Sequence, residues 1–395
     1  MTRKRSDMSR RQFVALAAAV PGVSAVTGRG ALAGGAFGVA QPGGFTFYSP
    51  LPEEWFRAGD YFAWTSTTRN NEGRAVNVFH RTFGRRTNPA IVLVHGMQSS
   101  SFDFRTLVRA LERDYFLCVL DFPGFGFSDK PQDGYSYMIA DDARLLDYYV
   151  REVVGLSQFH LLTHDRGVSV GLAFLGNYLD APTRDYEIGY HFLSNSGSFL
   201  PLANRPEGAN RILHRDHSLQ VTAALRSVPR VTAGDPETVA RADIQAFNDG
   251  IGAVRHIVRY QLERAAHEYR WLASLKESPV PTALFWGLRD TPNPVRVAHH
   301  VWLEYLNDRE VESSFWLVPT AGHYPQLDAP GAVETVVRAC LDGRVPAPED
   351  ENTFMWETAD EFSGADSPVY VGRSHITDIS FPEGTVEYSP SGYGG

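Results

Sequence analysis

Residues 158–171 read Gln-Phe-His-Leu-Leu-Thr-His-Asp-Arg-Gly-Val-Ser-Val-Gly. An apolar run ends at Thr163, His164-Asp165-Arg166-Gly167 follows, and apolar periodicity resumes from Val168 to Tyr178. A strand, a very tight turn and a helix in that order lift one reactive side chain above the end of a sheet. The usual occupant is Ser within G-x-S-x-G; here Asp165 is central and Thr163 stands in the first small position. An unperturbed Asp, with a pKa of about 3.9, is already ionised at pH 7. Such a carboxylate can attack a saturated carbon that carries a leaving group, an epoxide oxygen or a halide, and form an alkyl ester that water must then hydrolyse. The plainer reading of Asp165 is a buried cap for the helix that begins near Val168.

An ester intermediate needs a base to activate water, and the base needs an orienting group. Asp290 follows Leu284-Phe285-Trp286-Gly287-Leu288-Arg289, and His323 lies in Thr320-Ala321-Gly322-His323-Tyr324-Pro325; both stand just past predicted strands. The strand ending near Leu193 leads instead into Ser194-Asn195-Ser196, which offers no carboxylate, so Asp290 is the favoured acid. Their structural alternatives are a loop histidine satisfied by a carbonyl and a turn-initiating Asp before Thr291-Pro292. Backbone N–H groups of Met97 and Arg166 are the expected donors to charge developing on the attacked carboxylate. His299-His300 has no spaced partners and reads as helix surface rather than a metal site.

These residues require strands that end at one edge. Ala90–Val94 and Phe116–Leu120 are continuous apolar runs, the pattern of strands covered on both faces. Asp60–Ser66, Ala75–Arg81, Ile188–Leu193, Pro281–Trp286 and Phe315–Val318 are further strands within a β-rich start over residues 41–88 and the later alternation. Helices are expected over Phe102–Arg113, Ala140–Val154 and Gly331–Leu341. The alternation breaks once, over 198–278, where the pattern turns helical. An α/β chain with a mostly parallel sheet and an inserted helical cap over its carboxyl edge is the economical reading. The two glycines of Asp121-Phe122-Pro123-Gly124-Phe125-Gly126 are read as a structural loop, since Pro123 and the aromatic residues do not fit a dinucleotide site.

The boundaries follow: residues 1–40 as a leader, 41–197 and 279–343 as the two parts of the core, 198–278 as the cap and 344–395 as a C-terminal extension. Ser9-Arg10-Arg11-Gln12-Phe13-Val14, a weakly apolar segment and Ala31-Leu32-Ala33 resemble a twin-arginine export signal with its cleavage site, so export to a periplasmic or extracellular compartment is expected. The apolar stretch is too short for a membrane span. Residues 1–40 hold six basic residues and one acid, whereas 345–395 hold ten acids against Arg373, within a chain of net charge −9. Nothing in that distribution marks a nucleic-acid surface. The extension is acidic yet aromatic, which fits a tail draped on the body with short strands near Pro368–Val371 and Ile376–Phe381 better than plain disorder. The two cysteines, Cys118 and Cys340, are read as buried thiols.

Together, Val94-His95-Gly96, Asp121-x-Pro-Gly-x-Gly-x-Ser128-Asp129, His164-Asp165-x-Gly167, Trp286-Gly287-x-x-Asp290 and Gly322-His323 resemble the epoxide hydrolase and haloalkane dehalogenase branch of the α/β-hydrolase superfamily over residues 60–343. The loop from Asp121 to Pro131 also looks like the mesoderm-specific-transcript subgroup. The resemblance implies an α/β-hydrolase fold, the order nucleophile Asp165, acid Asp290, base His323, no cofactor, and a small-molecule epoxide or haloalkane as substrate. It also implies that a cap tyrosine, here Tyr260, protonates the epoxide oxygen. There are departures. Gln98 stands where the family often has Pro, and Arg166 where haloalkane dehalogenases place a halide-binding Trp; Gln98, Arg166 and Trp271 are then the available halide donors. Ser169 stands where carboxylate-binding relatives carry a second Arg after the nucleophile, so recognition of a carboxylate by an arginine pair is not expected. No tyrosine lies between Asn195 and Arg259, and Tyr269 or Tyr190 are the substitutes for the missing partner of Tyr260. Epoxide hydrolysis leads, hydrolytic dehalogenation is the alternative, and a non-catalytic binding protein on the same fold is the alternative of another class.

Overall fold

The computed structural model describes residues 45–69, 71–132, 134–204, 236–346 and 367–373. The expected export signal, part of the cap segment and the expected strand at Ile376–Phe381 lie outside them. The described chain opens on α1 (Pro50–Arg57) and continues through β1 (Asp60–Thr65), β2 (Ala75–Phe83) and β3 (Ala90–Val94). A 3₁₀ turn at Ser101–Phe104 leads into α2 (Arg105–Leu111), followed by β4 (Phe116–Leu120) and α3 (Ile139–Tyr148). Next come β5 (Gln158–His164), α4 (Arg166–Asp180) and β6 (Glu187–Ser194). Within the segment read as a cap stand α5 (Pro236–Ala246), α6 (Gly250–Ile257) and α7 (Tyr260–Glu277). The chain then forms β7 (Thr282–Gly287), α8 (Val295–Val301), β8 (Ser313–Val318), α9 (Pro325–Asp328), α10 (Pro330–Leu341) and β9 (Val369–Arg373).

Among the described residues the strands form one nine-stranded sheet in the order β1-β2-β4-β3-β5-β6-β7-β8-β9. From β4 through β8 the neighbours are parallel, and antiparallel pairs close both edges. Strands β3, β4 and β7 are buried along their whole length, as two helical layers demand. Alternate side chains feed two cores. Val92, Val94 and Cys118 pack with Leu145, Leu172 and Leu272, whereas Ile91, Leu93 and Val119 pack with Leu107, Val108 and Val336. Cys118 and Cys340 belong to opposite cores, and both thiols are free and buried. Among the described residues no helix is long and apolar enough to cross a membrane.

Two expectations need correction. The start of the chain is not β-rich throughout, because Ser49 Oγ accepts the Leu51 N–H at 3.3 Å and Pro50 takes the first turn of α1. Both are helix-start signals. His299-His300 is not a helix surface: both rings are half-buried, with His299 edge-on to Phe315 and His300 stacked on Phe199. The strand expected near Pro368 is present as β9. It pairs with β8 from Ser314↔Arg373 to Leu317↔Val369 and buries Tyr370 edge-on to Trp316.

Candidate active site

β5 ends at His164 and α4 begins at Arg166, so Asp165 makes the turn by itself, at φ 48° and ψ −116°. A non-glycine residue in such a conformation costs about 1–3 kcal/mol and persists only where its surroundings hold it. Here Asp165 N–H donates to Ser194 O at 3.2 Å, while Asp165 O accepts from Val168 N–H at 3.0 Å and from Ser196 Oγ at 2.9 Å. The loop after β3 comes close enough to exclude side chains. A Cβ on Gly96 would lie 2.6 Å from Asp165 Cβ, and one on Gly167 2.5 Å from Val94 O.

The two carboxylate oxygens have different partners. Oδ2 accepts the Met97 N–H at 2.7 Å. Oδ1 faces His323 Nε2 across 3.9 Å, too far for a direct hydrogen bond, so the imidazole's free nitrogen is not spent on it. His323 Nδ1–H donates to Asp290 Oδ2 at 2.9 Å, which fixes the tautomer and leaves Nε2 as the acceptor. Asp290 is fixed in turn: Oδ2 accepts Asn195 Nδ2 at 2.8 Å and Oδ1 accepts the Asn293 N–H at 2.8 Å. Asn195 Oδ1 accepts the Gly287 N–H at 2.9 Å, tying the loop after β6 to the end of β7. The register Val94↔Thr163, His164↔Ser194 and Gly287↔Val318 brings these five loops to one edge.

Electrostatics distinguish the acid from the base. Burial acts to raise the Asp165 carboxyl, but His323, Arg264 and the Met97 N–H outweigh it and hold it below the usual carboxylate range. Burial acts to lower the His323 imidazole; the Asp290 hydrogen bond and the charges of Asp165 and Asp290 outweigh it, against opposition from Arg241, and hold it above its ordinary value. Beside it, burial pushes His164 down to about 4, so this ring stays neutral while its Nε2–H donates to His323 O at 2.6 Å.

The remaining expected residues divide. Gln98 is buried next to Met97 with a left-handed φ of 54°. Tyr260, at the start of α7, is buried, with the guanidinium groups of Arg166 and Arg264 5.2 Å and 4.9 Å from its ring centre. The Arg166 side chain is only partly engaged: Nη2 pairs with buried Asp142 at 2.5 Å and donates to Tyr137 O at 3.3 Å, while Nε and Nη1 have no partner among the described residues. Its backbone N–H opens α4, where first-turn donors have no intrahelical acceptor. Tyr190 belongs to the opposite end of the sheet, its hydroxyl 3.4 Å from Glu312 ahead of β8, and Tyr269 is 63% exposed; neither replaces the missing cap tyrosine. Trp271 is half-buried beside His267, with ring centres 5.7 Å apart.

Sequence reasoning missed the supporting residues Asn195, His164, Arg264 and Arg241. Arg241 on α5 pairs with Asp103 at 3.2 Å and lies 4.5 Å from the ring centre of Tyr324. The i, i+4 spacing of Tyr260 and Arg264 was a readable sign that one face of α7 carries both. Asn195 left no such sign.

The comparisons with known proteins agree with this fold. Residues 89–184 match the family model described as alpha/beta hydrolase fold. LipZ of Mycobacterium tuberculosis, a protein named as a hydrolase, is 30% identical over 295 residues, covering 72% of this chain and 96% of its own length. The chain belongs to the α/β-hydrolase family. Other relatives of this α/β-hydrolase are the mesoderm-specific transcript protein of Mus musculus, 27% identical over 71% of the chain and 85% of that protein, and haloalkane dehalogenase 2 of Mycobacterium bovis, 26% identical over 64% and 87%. Among solved structures, an α/β-hydrolase described among epoxide hydrolases from hot-environment metagenomes superposes with a TM-score of 0.53 at 14% identity, over 71% of this chain and 98% of that one. The haloalkane dehalogenase DbeA-M1 loop variant from Bradyrhizobium elkanii gives 0.55 at 17% identity, over 72% and 97%. At these identities the structural likeness speaks for the α/β-hydrolase fold alone.

Proposed function

We propose that this α/β-hydrolase works through an alkyl ester on Asp165 and that its substrates are epoxides. The observation that carries the reading is the unequal setting of the Asp165 oxygens, one held by the Met97 N–H and the other open toward an oriented imidazole. Oδ1 attacks an epoxide carbon, the C–O bond of the ring breaks, and the Tyr260 phenol gives its proton to the departing oxygen. Water then loses a proton to His323 Nε2 and adds to the Asp165 carbonyl carbon. The charge on Oδ2 is met by the N–H groups of Met97 and Arg166. The Cγ–Oδ1 bond breaks, the leaving oxygen takes the proton still on the added hydroxyl so that the diol departs and Asp165 is left as a carboxylate holding the water oxygen, and the proton on His323 returns to the Tyr260 phenolate.

Hydrolytic dehalogenation is the second reading. It is favoured by the relative named haloalkane dehalogenase 2 and disfavoured by Arg166 itself, which stands where haloalkane dehalogenases place a halide-binding Trp. A non-catalytic role fits poorly with an ionised Asp165 facing an imidazole already oriented by Asp290. One turnover in heavy-oxygen water, with matched epoxide and bromoalkane panels, tests the scheme. Label is expected in the Asp165 peptide and not in the product, with diol formed from epoxides. Label in the first-turnover product and none in Asp165 rejects the ester; halide release without diol formation rejects the epoxide.

A further inference from the structure

Two buried guanidinium groups flank Tyr260, and they are not equally paired. Arg166 has Asp142. Arg264, on α7, has no carboxylate among the described residues. Its Nε donates to Ser169 Oγ at 2.9 Å, its plane lies 4.9 Å from the Tyr260 ring centre, and its buried Nη2 has no partner. The residue is 3% exposed. Arg166 Nε and Nη1 are likewise buried without partners. Native interiors rarely leave buried donors unused, and a cluster of them on two cations is the setting in which an anion is held.

The place of Arg264 is as informative as its lack of a partner. Ser169 is four residues beyond Asp165, in the first turn of α4, so the guanidinium is fastened next to the turn that carries the reacting carboxylate. A Cβ on Gly197 would lie 3.0 Å from Arg264 Nη1 and 3.0 Å from Asn293 Oδ1. The group therefore reaches the same loops that hold Asp290 and the Asp165 carbonyl. Reading position 169 by itself excluded an arginine there; the cap delivers one to the same spot from residue 264.

We propose that Arg264, helped by Arg166, binds the carboxylate of a short-chain acid whose neighbouring carbon is the one Asp165 attacks. The substrate class is then an epoxy or halo acid rather than a neutral epoxide or haloalkane. The proposal deepens the reading of Asp165 as the nucleophile and rests on it for the attack, but not for the binding. A carboxylate accepts parallel N–H bonds from a guanidinium fork, whereas the isosteric amide presents one oxygen and a competing donor.

Calorimetry with propionate and propionamide on the intact chain tests binding without any turnover. Propionate is expected to bind at least tenfold more tightly than propionamide, with the preference lost in Arg264→Gln, kept in part in Arg264→Lys and weakened in Ser169→Ala. In kinetics with glycidate and glycidamide, Arg264→Gln is expected to raise KM for the acid at least tenfold more than for the amide. Equal binding of acid and amide by the wild type overturns the proposal. So does an Arg264→Gln loss of the same size for both substrates, which would make Arg264 only a support for the charge of Asp165. If neither glycidate nor any halide is turned over, the Asp165 scheme fails, and the propionate titration still decides the fate of Arg264.

Discussion

The floor and the roof of this site are held in different ways. On the floor, at the carboxyl edge of the sheet, Asp290 has both oxygens engaged and Asn195 links three loops through its amide. In the roof, α7 turns Tyr260, Glu263, Arg264 and Glu268 inward, an unusual load of polar side chains for a buried face. Glu263 and Glu268 are spent on structure, accepting N–H groups at the start of α3 and at Leu200. Arg264 keeps a donor unspent. The engaged Asp290–Asn195 pair fixes a geometry on the floor, and the unused donor of Arg264 in the roof leaves capacity for something that comes and goes. On the two proposals above, reaction type belongs to the sheet edge and substrate choice to the roof.

The comparison breaks most sharply at His323. Replacing it with Gln should leave ester formation intact and stop ester hydrolysis, so that steady turnover falls about 10³-fold or more after a burst of one equivalent. Mass spectrometry of the stalled protein should find the adduct on the Asp165 peptide; slow turnover without an adduct would remove His323 from the second half-reaction.

A smaller loss, on the order of 10²–10⁴-fold in kcat, is expected for Asp290→Asn, and its pH dependence carries the sharper information. Turnover requires neutral His323, whose folded pKa is raised chiefly by Asp290, so the wild-type rate should climb along a limb above the ordinary imidazole value of about 6.5. Without that carboxylate the imidazole loses its proton more easily, and the limb should move to lower pH. A limb that stays put or moves upward would mean that another group sets it.

The mildest effect belongs to the roof. Glu263 accepts the Ile139 N–H at 2.6 Å and the Ala140 N–H at 2.9 Å, capping a core helix from the cap. Glu263→Gln keeps one acceptor oxygen and loses the charge, and should cost about 1–2 kcal/mol of stability, read as a fall in thermal midpoint of a few degrees. A loss of activity much larger than that fall would shift Glu263 from fastening the roof to serving the chemistry.

Much of the floor was legible in the linear chain because each of its parts has a local cause. Unbroken apolar runs mark β3 and β4, His164-Asp165-Arg166-Gly167 marks the turn, and Asp290 and His323 follow strands directly. Asn195 was passed over because a neutral amide at a strand end has no periodicity and no charge to betray it; its importance comes from three distant backbone groups. The roof was read less well. Tyr260 was placed in it, but Arg264 comes to lie on Ser169 only through the packing of α7 across α4, a contact between residues 95 positions apart. Helix α1 falls inside the stretch expected to be β-rich, although its Ser49-Pro50 start is a helix-capping signal.

The far edge of the sheet carries a separate implication. β8, whose next loop bears His323, has its outer side closed by β9, a strand drawn from the acidic extension. A protease cutting ahead of Val369 would strip that selvedge and move the open edge of the sheet inward from β9 to β8. The tail thus keeps the sheet's open border one strand away from the loop that carries His323.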